Sequence, residues 1–366
     1  MPSERYTGSA WNARFLYAPK IALELDQRPE FVPLRTLASA ALGVKTGYDD
    51  FFFLSKAEGK PRRPSYVHVS GLRGWTGDLA KNDLIGAVRN PRDLTHEGVR
   101  VFQVPRRTPY YYLYPTGHLN KADLESYVRQ GEEAGVDERP LVIQNAGDNE
   151  WFVQARGIVQ PDWILPYNSA YDYGAFENEC RAVINGRFVG VTANSDADRE
   201  LLGAALNSTL VIVSRLIEGV PTGTEGAFDV GPPAARLMKV PDVRAMGGPG
   251  VERVRGAMRD LRQANGMPSA PSRDGRVSEI RRRLDDAVLH ALGIPAGDRA
   301  VLLDRIYASY SRWRTSVEDV EMRMRANRRT TARLGLSRAE SPVQRATRTV
   351  WEELRGDFPA IPSGLL

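Results

Sequence analysis

The sequence has a single cysteine, Cys180, and four histidines among its 366 residues. One cysteine excludes a disulfide within the chain and fits a reducing compartment. A structural zinc site needs four Cys or His ligands at close spacing, and the histidines are scattered over positions 68, 96, 118 and 290. We therefore predict neither a disulfide framework nor a metal site.

Several motifs of nucleotide and hydrolase chemistry are also missing. No stretch has the Gly-x-x-x-x-Gly-Lys-Ser/Thr or Gly-x-Gly-x-x-Gly form that binds nucleotide phosphates, and no Gly-x-Ser-x-Gly elbow is present. The nearest approach to the Asn/Asp-Pro-Pro-Tyr/Phe loop of adenine methyltransferases is Gly231-Pro232-Pro233-Ala234, which lacks both the polar first residue and the aromatic last one. We predict no catalytic residues and no cofactor bound by this chain, and we do not expect it to catalyse a reaction alone.

No long, uninterrupted apolar run is present. The most apolar segment, Leu201–Ile217, is interrupted by Asn207, Ser208 and Arg215, which favours a buried helix over a membrane span. The N-terminus has no basic stretch followed by an apolar run, so no signal peptide is predicted. The chain has 42% hydrophobic and 26% charged residues, a composition typical of a globular protein. We expect a soluble, cytoplasmic protein without a membrane partner.

Positive charge is concentrated in the last third of the chain. Val251–Leu366 contains 22 arginines, no lysine and 15 acidic residues, whereas the preceding part is slightly acidic. This distribution suits a polyanionic partner, but arginine-rich helices are also common in high-GC genomes, and composition does not separate the two. The candidate phosphate ligands, which are equally compatible with a solvated helix face or a docking surface, are Arg281, Arg282, Arg283, Arg323, Arg325, Arg328 and Arg329.

Hydrophobic periodicity predicts an α+β fold. Short apolar runs separated by Gly and Pro indicate a mainly β, irregular region over 1–245, although helices are predicted at Asn120–Gly135 and over 195–218 with Ser195 as the cap. We predict a linker over 246–276 and a helical, Arg-rich region over 277–366, because apolar residues there recur with helical spacing. That last region is expected to contact the DNA backbone or to dock a partner.

Three local predictions depend on shorter patterns. Leu141–Asn145 and Phe51–Leu54 read as strands, the second of them buried. Asn185-Gly186 between two apolar runs predicts a hairpin over 181–191, because Asn-Gly favours the type I′ turn.

The segment Gly43–Leu54 is the strongest candidate for function. Two glycines, Gly43 and Gly47, bracket Lys45 and Thr46, and Tyr48 follows. A cation, a hydroxyl and an aromatic ring on a Gly-flanked loop can meet phosphate oxygens, base edges and base faces. The alternative is a surface turn leading into a core strand.

Three further loops carry candidate nucleic-acid ligands. Arg73 and Trp75 share a Gly-flanked loop, where the arginine suits a guanine edge or a phosphate and the tryptophan suits stacking or a core position. Arg89 and Arg92 bracket a turn, for which a solvated turn or an ion pair with Asp93 is the alternative. The third loop holds Arg106 and Arg107.

Several segments occur in an order that resembles a known family. They are Trp11–Pro19, Val32–Leu34, Gly43–Phe52, Leu84–Arg92, Pro109–Leu113, Phe188–Val191, Leu201–Thr209, Pro241–Asp242 and Arg282–Gly293. The Gly-x-x-Thr-Gly and Leu-Asn-Ser-Thr signatures carry most of the likeness. Together these segments resemble the target-recognition region of TaqI-type, gamma-class N6-adenine DNA methyltransferases and their fused, type IIG-like restriction–modification relatives.

The resemblance implies sequence-specific recognition of double-stranded DNA in a restriction–modification or phage-defence system. It places Lys45, Thr46 and Tyr48 on a loop facing the DNA, while a methyltransferase partner flips and methylates adenine with AdoMet. In the family the catalytic domain precedes this region on the same chain. This sequence is therefore expected to be either a separate specificity subunit or a piece of a longer enzyme. Two alternatives stay open: a type I-like specificity subunit that docks modification and restriction chains, and a non-enzymatic protein-binding scaffold.

Overall fold

A computed structural model describes residues 19–94, 110–115, 122–154, 158–169, 174–222, 227–263 and 279–333. The chain divides into two compact units, Met1–Thr315 and Ser316–Leu366. Among the described residues, the second unit is represented by 316–333, which belong to a helix. The sheets, cores and loops of the described residues lie in the first unit.

The structure combines helices with several sheets, which confirms the predicted α+β class. The helices are α1 (Lys20–Gln27), α2 (Asp49–Phe52), α3 (Ala122–Glu133), α4 (Pro140–Ala146), α5 (Arg199–Leu206), α6 (Thr209–Glu218), α7 (Pro232–Leu237), α8 (Gly248–Gln263), α9 (Glu279–Ala291) and α10 (Ala296–Arg333). Short 3-10 turns occur at Leu34–Thr36, Leu72–Gly74, Lys81–Asp83, Pro91–Leu94, Asp196–Asp198 and Val243–Ala245.

The strands form four sheets among the described residues. They are β1 (Phe31–Pro33), β2 (Ala38–Leu42), β3 (Phe53–Lys56), β4 (Tyr66–Ser70), β5 (Thr76–Ala80), β6 (Leu84–Val88), β7 (Tyr110–Leu113), β8 (Trp163–Pro166), β9 (Asn168–Ser169), β10 (Phe176–Glu177), β11 (Val183–Ile184), β12 (Phe188–Ala193), β13 (Val220–Thr222), β14 (Ala227–Asp229) and β15 (Lys239–Pro241). The two larger sheets have the orders β10-β8-β12-β2 and β11-β6-β7-β3-β4-β5, and the smaller ones are β1-β15 and β13-β14-β9.

The four-stranded sheet packs against the helices in the largest core. Trp163 on β8 is fully buried, and its indole Nε1 donates to the carbonyl of Arg199 at 3.0 Å. Gly203 on α5 faces this ring so closely that an added Cβ would overlap it. At the sheet edge, the Arg236 guanidinium donates to the carbonyl of Ala40 at 2.8 and 3.1 Å, which satisfies an acceptor that the edge strand would otherwise leave open.

The six-stranded sheet has its own aromatic core. The rings of Phe51 and Tyr127 stack with centroids 4.6 Å apart, and the Tyr127 hydroxyl donates to the carbonyl of Phe51 at 2.8 Å. Tyr112 at the centre of β7 is fully buried. Burial, and then the nearby charge of Asp49, raise the pKa of Tyr112 above its ordinary value. The aromatic run of β7 therefore packs mainly inward.

A smaller core joins the two large sheets. It contains Val88 and Ile184 from the six-stranded sheet and Ile164, Phe176 and Phe188 from the four-stranded sheet. All five side chains are at most 5% exposed. The sheets are thus held together by burial of apolar surface as well as by the chain segments that pass between them.

The predicted helix over 195–218 is broken in two. Ser195 makes no side-chain cap hydrogen bond, and α5 and its preceding turn are bent from α6 by 81°. The bend falls at Asn207, whose side chain bonds to the backbone of Ala175 at 2.9 and 3.1 Å and to the carbonyl of Gly203 at 2.9 Å. Because these bonds compete with continued helix, the Leu-Asn-Ser-Thr signature ends one helix and begins the next.

The predicted linker over 246–276 is wrong for Gly248–Gln263, which form α8. Val254, Ala257, Met258 and Leu261 on this helix are buried with the spacing of one helical face. They join the same core as α1, β2 and β12, so the C-terminal helices through Tyr310 are not a separate unit. Residues 264–276 of the predicted linker lie outside the described residues.

The predicted strand at Leu141–Asn145 is helix α4. Pro140 occupies its first turn, where a missing N–H costs nothing, and Val142 and Ala146 are buried four residues apart. The predicted strand Phe51–Leu54 begins only at Phe53, because Asp49–Phe52 form α2. Among the described residues no single helix has both the length and the apolarity to cross a membrane.

Candidate nucleic-acid interface

Two chain segments pass side by side between the large sheets. Gly43–Lys45 leaves β2 of the four-stranded sheet, and Asn185–Arg187 connects β11 of the six-stranded sheet to β12. We call them the paired crossings. Val44 N–H donates to the carbonyl of Ile184 at 2.8 Å, and Gly186 N–H donates to the carbonyl of Val44 at 2.8 Å. Gly43 is required here, because an added Cβ would overlap the Asn185 carbonyl.

The predicted hairpin over 181–191 is therefore wrong. β11 pairs in parallel with β6, whereas β12 pairs with β2 and β8. Asn185 is 3% exposed, and its side-chain amide donates to Asp49 Oδ2 at 2.8 Å. The Asn-Gly pair marks a turn, but the turn joins two sheets because its asparagine is held by a residue far away in the chain.

The loop after the first crossing, 45–48, is fixed by buried polar groups. Thr46 is fully buried, its hydroxyl donates to Asp49 Oδ1 at 2.7 Å, and it accepts from the backbone N–H of Tyr48 at 3.0 Å. The Gln154 side-chain amide donates to the carbonyl of Thr46 at 2.8 Å. Gly47 has φ +83°, the left-handed region that favours glycine. Thr46 thus faces the interior in this structure, not the surface.

Asp49 connects this loop to the second crossing. One carboxylate oxygen accepts from Thr46 and the other accepts from Asn185, at 2.7 and 2.8 Å. Both oxygens are therefore used within the protein. A single buttressing carboxylate fixes the two segments relative to each other, and this link was not predicted from the sequence.

Lys45 and Tyr48 lie at the surface of this loop. Lys45 is exposed, and its stem passes so near Gly186 that a Cβ there would lie 2.9 Å from Lys45 Cγ. Its carbonyl accepts from the Asn145 side-chain amide at 2.6 Å. The half-buried Tyr48 ring has the guanidinium of exposed Arg139 over it, 5.2 Å from the ring centroid. Arg139 adds a second cation that the sequence analysis missed.

Arg89 lies beside the crossings but is already paired. Its guanidinium donates to Asp50 and lies over the ring of Tyr110, 6.0 Å from the centroid. The Asp93 carboxylate accepts from the backbone N–H groups of Arg89 and Asn90 at 3.2 and 2.8 Å. Asp93 therefore caps the turn and does not pair with the Arg89 guanidinium. The backbone of Arg92 belongs to the 3-10 turn Pro91–Leu94.

Arg187 is the main residue that sequence reasoning missed. It is exposed on the second crossing, and its Nη1 donates to Asn90 Oδ1 at 2.9 Å. Among the described residues, no ion pair involves Arg187 or Lys45. Both cations therefore offer uncompensated charge on adjacent segments. The sequence feature that could have indicated Arg187 is its position two residues after Asn185, in a turn that the sequence predicts to be a hairpin.

Arg73 and Trp75 lie apart from this group. Their turn joins β4 to β5, at the opposite edge of the six-stranded sheet from β11. Arg73 is exposed and has φ 52°, a left-handed conformation that costs about 1–2 kcal/mol for a residue with a Cβ. Trp75 packs on Tyr127 with centroids 4.6 Å apart and donates to Ser126 Oγ at 3.4 Å. The structure thus uses Trp75 as a packing residue and leaves Arg73 at the surface.

Of the remaining predicted ligands, Arg106 and Arg107 lie outside the described part of the chain, whereas the C-terminal candidates lie on α9 and α10. Of the C-terminal candidates, Arg281 is 1% exposed and donates to the carbonyl of Asn207, so its assignment as a phosphate ligand is wrong. In the ranges that the structure describes, no three His, Cys, Asp or Glu side chains are grouped so that they could hold a metal ion.

Neither protein-family models nor curated proteins give a match to this sequence. Among solved structures, the fold is similar to part of the type IIG restriction endonuclease BpuSI, with a TM-score of 0.52 and 12% identity over 81% of this chain and 32% of that chain. The type IIL restriction-modification enzyme MmeI, solved in complex with DNA, matches with a TM-score of 0.39 and 12% identity over 79% of this chain and 37% of its own. This chain therefore spans about a third of the length of these enzymes. At this identity, the similarity to BpuSI is a similarity of fold.

Proposed function

We propose that this chain recognises a specific double-stranded DNA sequence for an N6-adenine methyltransferase or restriction–modification system. The observation that carries the proposal is the arrangement of the paired crossings. They present Lys45 and Arg187 at the surface without acidic partners among the described residues, on a backbone that Asp49 and Asn185 hold from within. Exposed, uncompensated cations on a fixed scaffold suit the phosphate backbone and base edges of a duplex.

The residues divide between positioning and contact. Lys45 is suited to a phosphate, because an ammonium on a flexible stem binds charge without demanding a fixed orientation. Tyr48 and Arg139 form a second contact of mixed aromatic and cationic character. Thr46 stabilises the conformation of the loop and is not assigned a DNA contact, because its hydroxyl already donates to Asp49. Arg89 is available to DNA only if the phosphate displaces Asp50, and Arg73 is a separate contact at the far edge of the sheet.

Two further observations support this function. The chain order of its signatures resembles the target-recognition region of gamma-class adenine methyltransferases, and its fold is similar to part of a type IIG restriction endonuclease. The chain itself has none of the nucleotide-binding motifs named above. We therefore assign AdoMet binding and base flipping to a catalytic methyltransferase domain that works with this chain.

The test is selection of bound duplexes from a randomised pool by the purified chain at about 50 and about 200 mM salt. We expect a short motif to be enriched and binding to weaken steeply with salt. Lys45→Ala should reduce the slope of log affinity against log salt by about 0.9, the value for one lost phosphate contact. Arg35→Ala is the matched control, because Arg35 is an exposed arginine that precedes β2 while Lys45 follows it. Failure of the chain to bind any duplex at low salt would refute the proposal.

Co-purification distinguishes the possible assemblies. Capture of a methyltransferase chain by the tagged protein, with methylation at the selected motif, is the expected result. Capture of a translocase–nuclease assembly would indicate a type I-like specificity subunit. Protein capture without DNA binding would indicate a scaffold, and would contradict DNA recognition as the function.

A further inference from the structure

Arg187 is the most firmly positioned exposed cation at the paired crossings. Its backbone N–H donates to Asn185 Oδ1 at 3.1 Å, and its carbonyl accepts from the backbone N–H of Tyr167 at 3.0 Å. Asn185 is in turn held by Asp49 and by the carbonyl of Val88, to which its backbone N–H donates at 3.0 Å. The backbone of Arg187, from which the side chain extends, is thus held through both its N–H and its carbonyl.

The guanidinium is also oriented, but its charge is not cancelled. Asn90 Oδ1 accepts one Nη1 hydrogen at 2.9 Å, and Asn90 itself is anchored through its backbone N–H to Asp93. An amide oxygen is neutral, so Arg187 keeps its full positive charge. Arg89, by contrast, is paired with the carboxylate of Asp50. The neighbouring arginines therefore differ in what they can offer to a ligand.

This orientation leaves one side of the guanidinium available. A guanidinium has five N–H donors, and Asn90 occupies one on Nη1, so the edge formed by Nε and Nη2 can still donate two parallel hydrogen bonds. Two parallel donors match the O6 and N7 acceptors of guanine in the major groove. The same pair of donors also fits two phosphate oxygens, so the experiments below distinguish a base contact from a phosphate contact.

We propose that Arg187 is a specificity-determining residue that reads a guanine in the major groove, with Asn90 as its positioning residue. This inference rests on the proposed function, because it assigns one base contact within the same surface. It predicts that the recognised motif contains a guanine whose identity depends on Arg187. Lys45, on the adjacent crossing, supplies affinity without that preference.

The experiment repeats the pool selection with the wild-type chain, Arg187→Ala and the control Arg35→Ala. Arg187→Ala should lose the guanine preference at one position, and its affinity for the wild-type motif should fall on the order of 10- to 100-fold. Asn90→Ala should weaken the guanine preference at the same position of the motif, but less than Arg187→Ala does. Melting temperatures are compared to confirm folding, since Arg187 is exposed and its removal should leave stability nearly unchanged.

A modified base then tests the contact directly. Replacing the selected guanine by 7-deazaguanine removes N7, so the wild-type chain should bind more weakly while Arg187→Ala should not distinguish the two duplexes. The inference is overturned if the wild-type chain tolerates 7-deazaguanine, or if the motif survives in Arg187→Ala. A uniform affinity loss with a salt slope reduced by about 0.9 would instead make Arg187 a phosphate ligand. Absence of any wild-type binding would refute the proposed function as well.

Discussion

Asp285 gives the clearest prediction about stability. It is fully buried on α9, where one oxygen accepts from the Thr209 N–H at the start of α6 at 2.8 Å and the other accepts from the Tyr307 hydroxyl on α10 at 3.1 Å. Burial raises the pKa of Asp285 to about 6, against the lowering effects of the Thr209 hydrogen bonds and the Arg281 charge. One carboxyl group thus joins three helices at a site that disfavours its charged form.

The pKa shift fixes the sign of the pH effect. Because the pKa is higher in the folded state than its ordinary value of 3.8, the folded chain binds this proton more tightly than the unfolded chain. The contribution to stability is complete below pH 3.8 and is lost as the pH rises through about 6. By linkage, protonated Asp285 contributes about 3 kcal/mol to the free energy of unfolding at low pH. At about pH 5 this contribution is larger than at about pH 7 by about 1.3 kcal/mol.

The perturbation is Asp285→Asn, which keeps an oxygen for the Thr209 N–H but cannot titrate. Urea unfolding at about pH 7, 6 and 5 gives the free energy of unfolding of each chain. The wild-type value should rise relative to that of Asp285→Asn by about 1.3 kcal/mol between about pH 7 and about pH 5. Asp286→Asn is the matched control, because this neighbour is 47% exposed and pairs with Arg299. Parallel profiles for the wild type and Asp285→Asn would refute the reasoning.

Two further predictions concern packing and the paired crossings. Gly203→Ala should destabilise the fold by about 1–3 kcal/mol or more, because the new methyl overlaps the Trp163 ring. Gly256→Ala on α8 should instead raise the melting temperature slightly, since only an arginine nitrogen lies within 4 Å of the new atom, at 3.8 Å, and alanine gains about 0.5–1 kcal/mol over glycine in a helix. Equal changes in melting temperature for Gly203→Ala and Gly256→Ala would contradict this packing. Asp49→Asn should loosen residues 43–48, because its amide would face the Asn185 amide, and adding Asn185→Asp should restore a donor–acceptor pair. Amide hydrogen exchange measures both changes, and a double variant no more protected than the single one would argue against this link.

Elements with a long repeating pattern could be predicted from the sequence. The apolar spacing of α9 and the glycine that ends it, Gly293 with φ 78°, define that helix locally. The same holds for α3, which ends before Gly135 with φ 66°. Each of these helices depends on residues within a few turns of one another, so the sequence alone contains the information.

Predictions failed where a distant residue decides the local structure. The turn at Asn185 depends on Asp49, 136 residues away in the chain, and the break at Asn207 depends on Ala175, 32 residues away. No local pattern contains these partners. Leu141–Asn145 failed for a different reason, because its three consecutive apolar residues, 141–143, fit a strand and a helix equally well.

The same limit applies to the candidate interface. Lys45 and Tyr48 were predicted from their Gly-flanked loop and lie at the surface, but Thr46 from the same loop faces inward. Arg187 could not be singled out, because its orientation by Asn90 spans 97 residues of chain. Residue type identifies which side chains could meet DNA, whereas burial and partners decide which of them are free to do so.

At the paired crossings, the residues that support the loops are not the residues that are exposed on them, and this affects which substitutions the surface tolerates. Thr46, Asp49 and Asn185 bond only to groups inside the protein in the contacts described above, while Lys45 and Arg187 point outward from the same backbone. Exchanging an outward side chain therefore leaves the hydrogen bonds that shape the loops intact. Under the proposed function, substitution of Arg187 would therefore change base preference and substitution of Lys45 would change affinity, in both cases without altering the residues that support the loops.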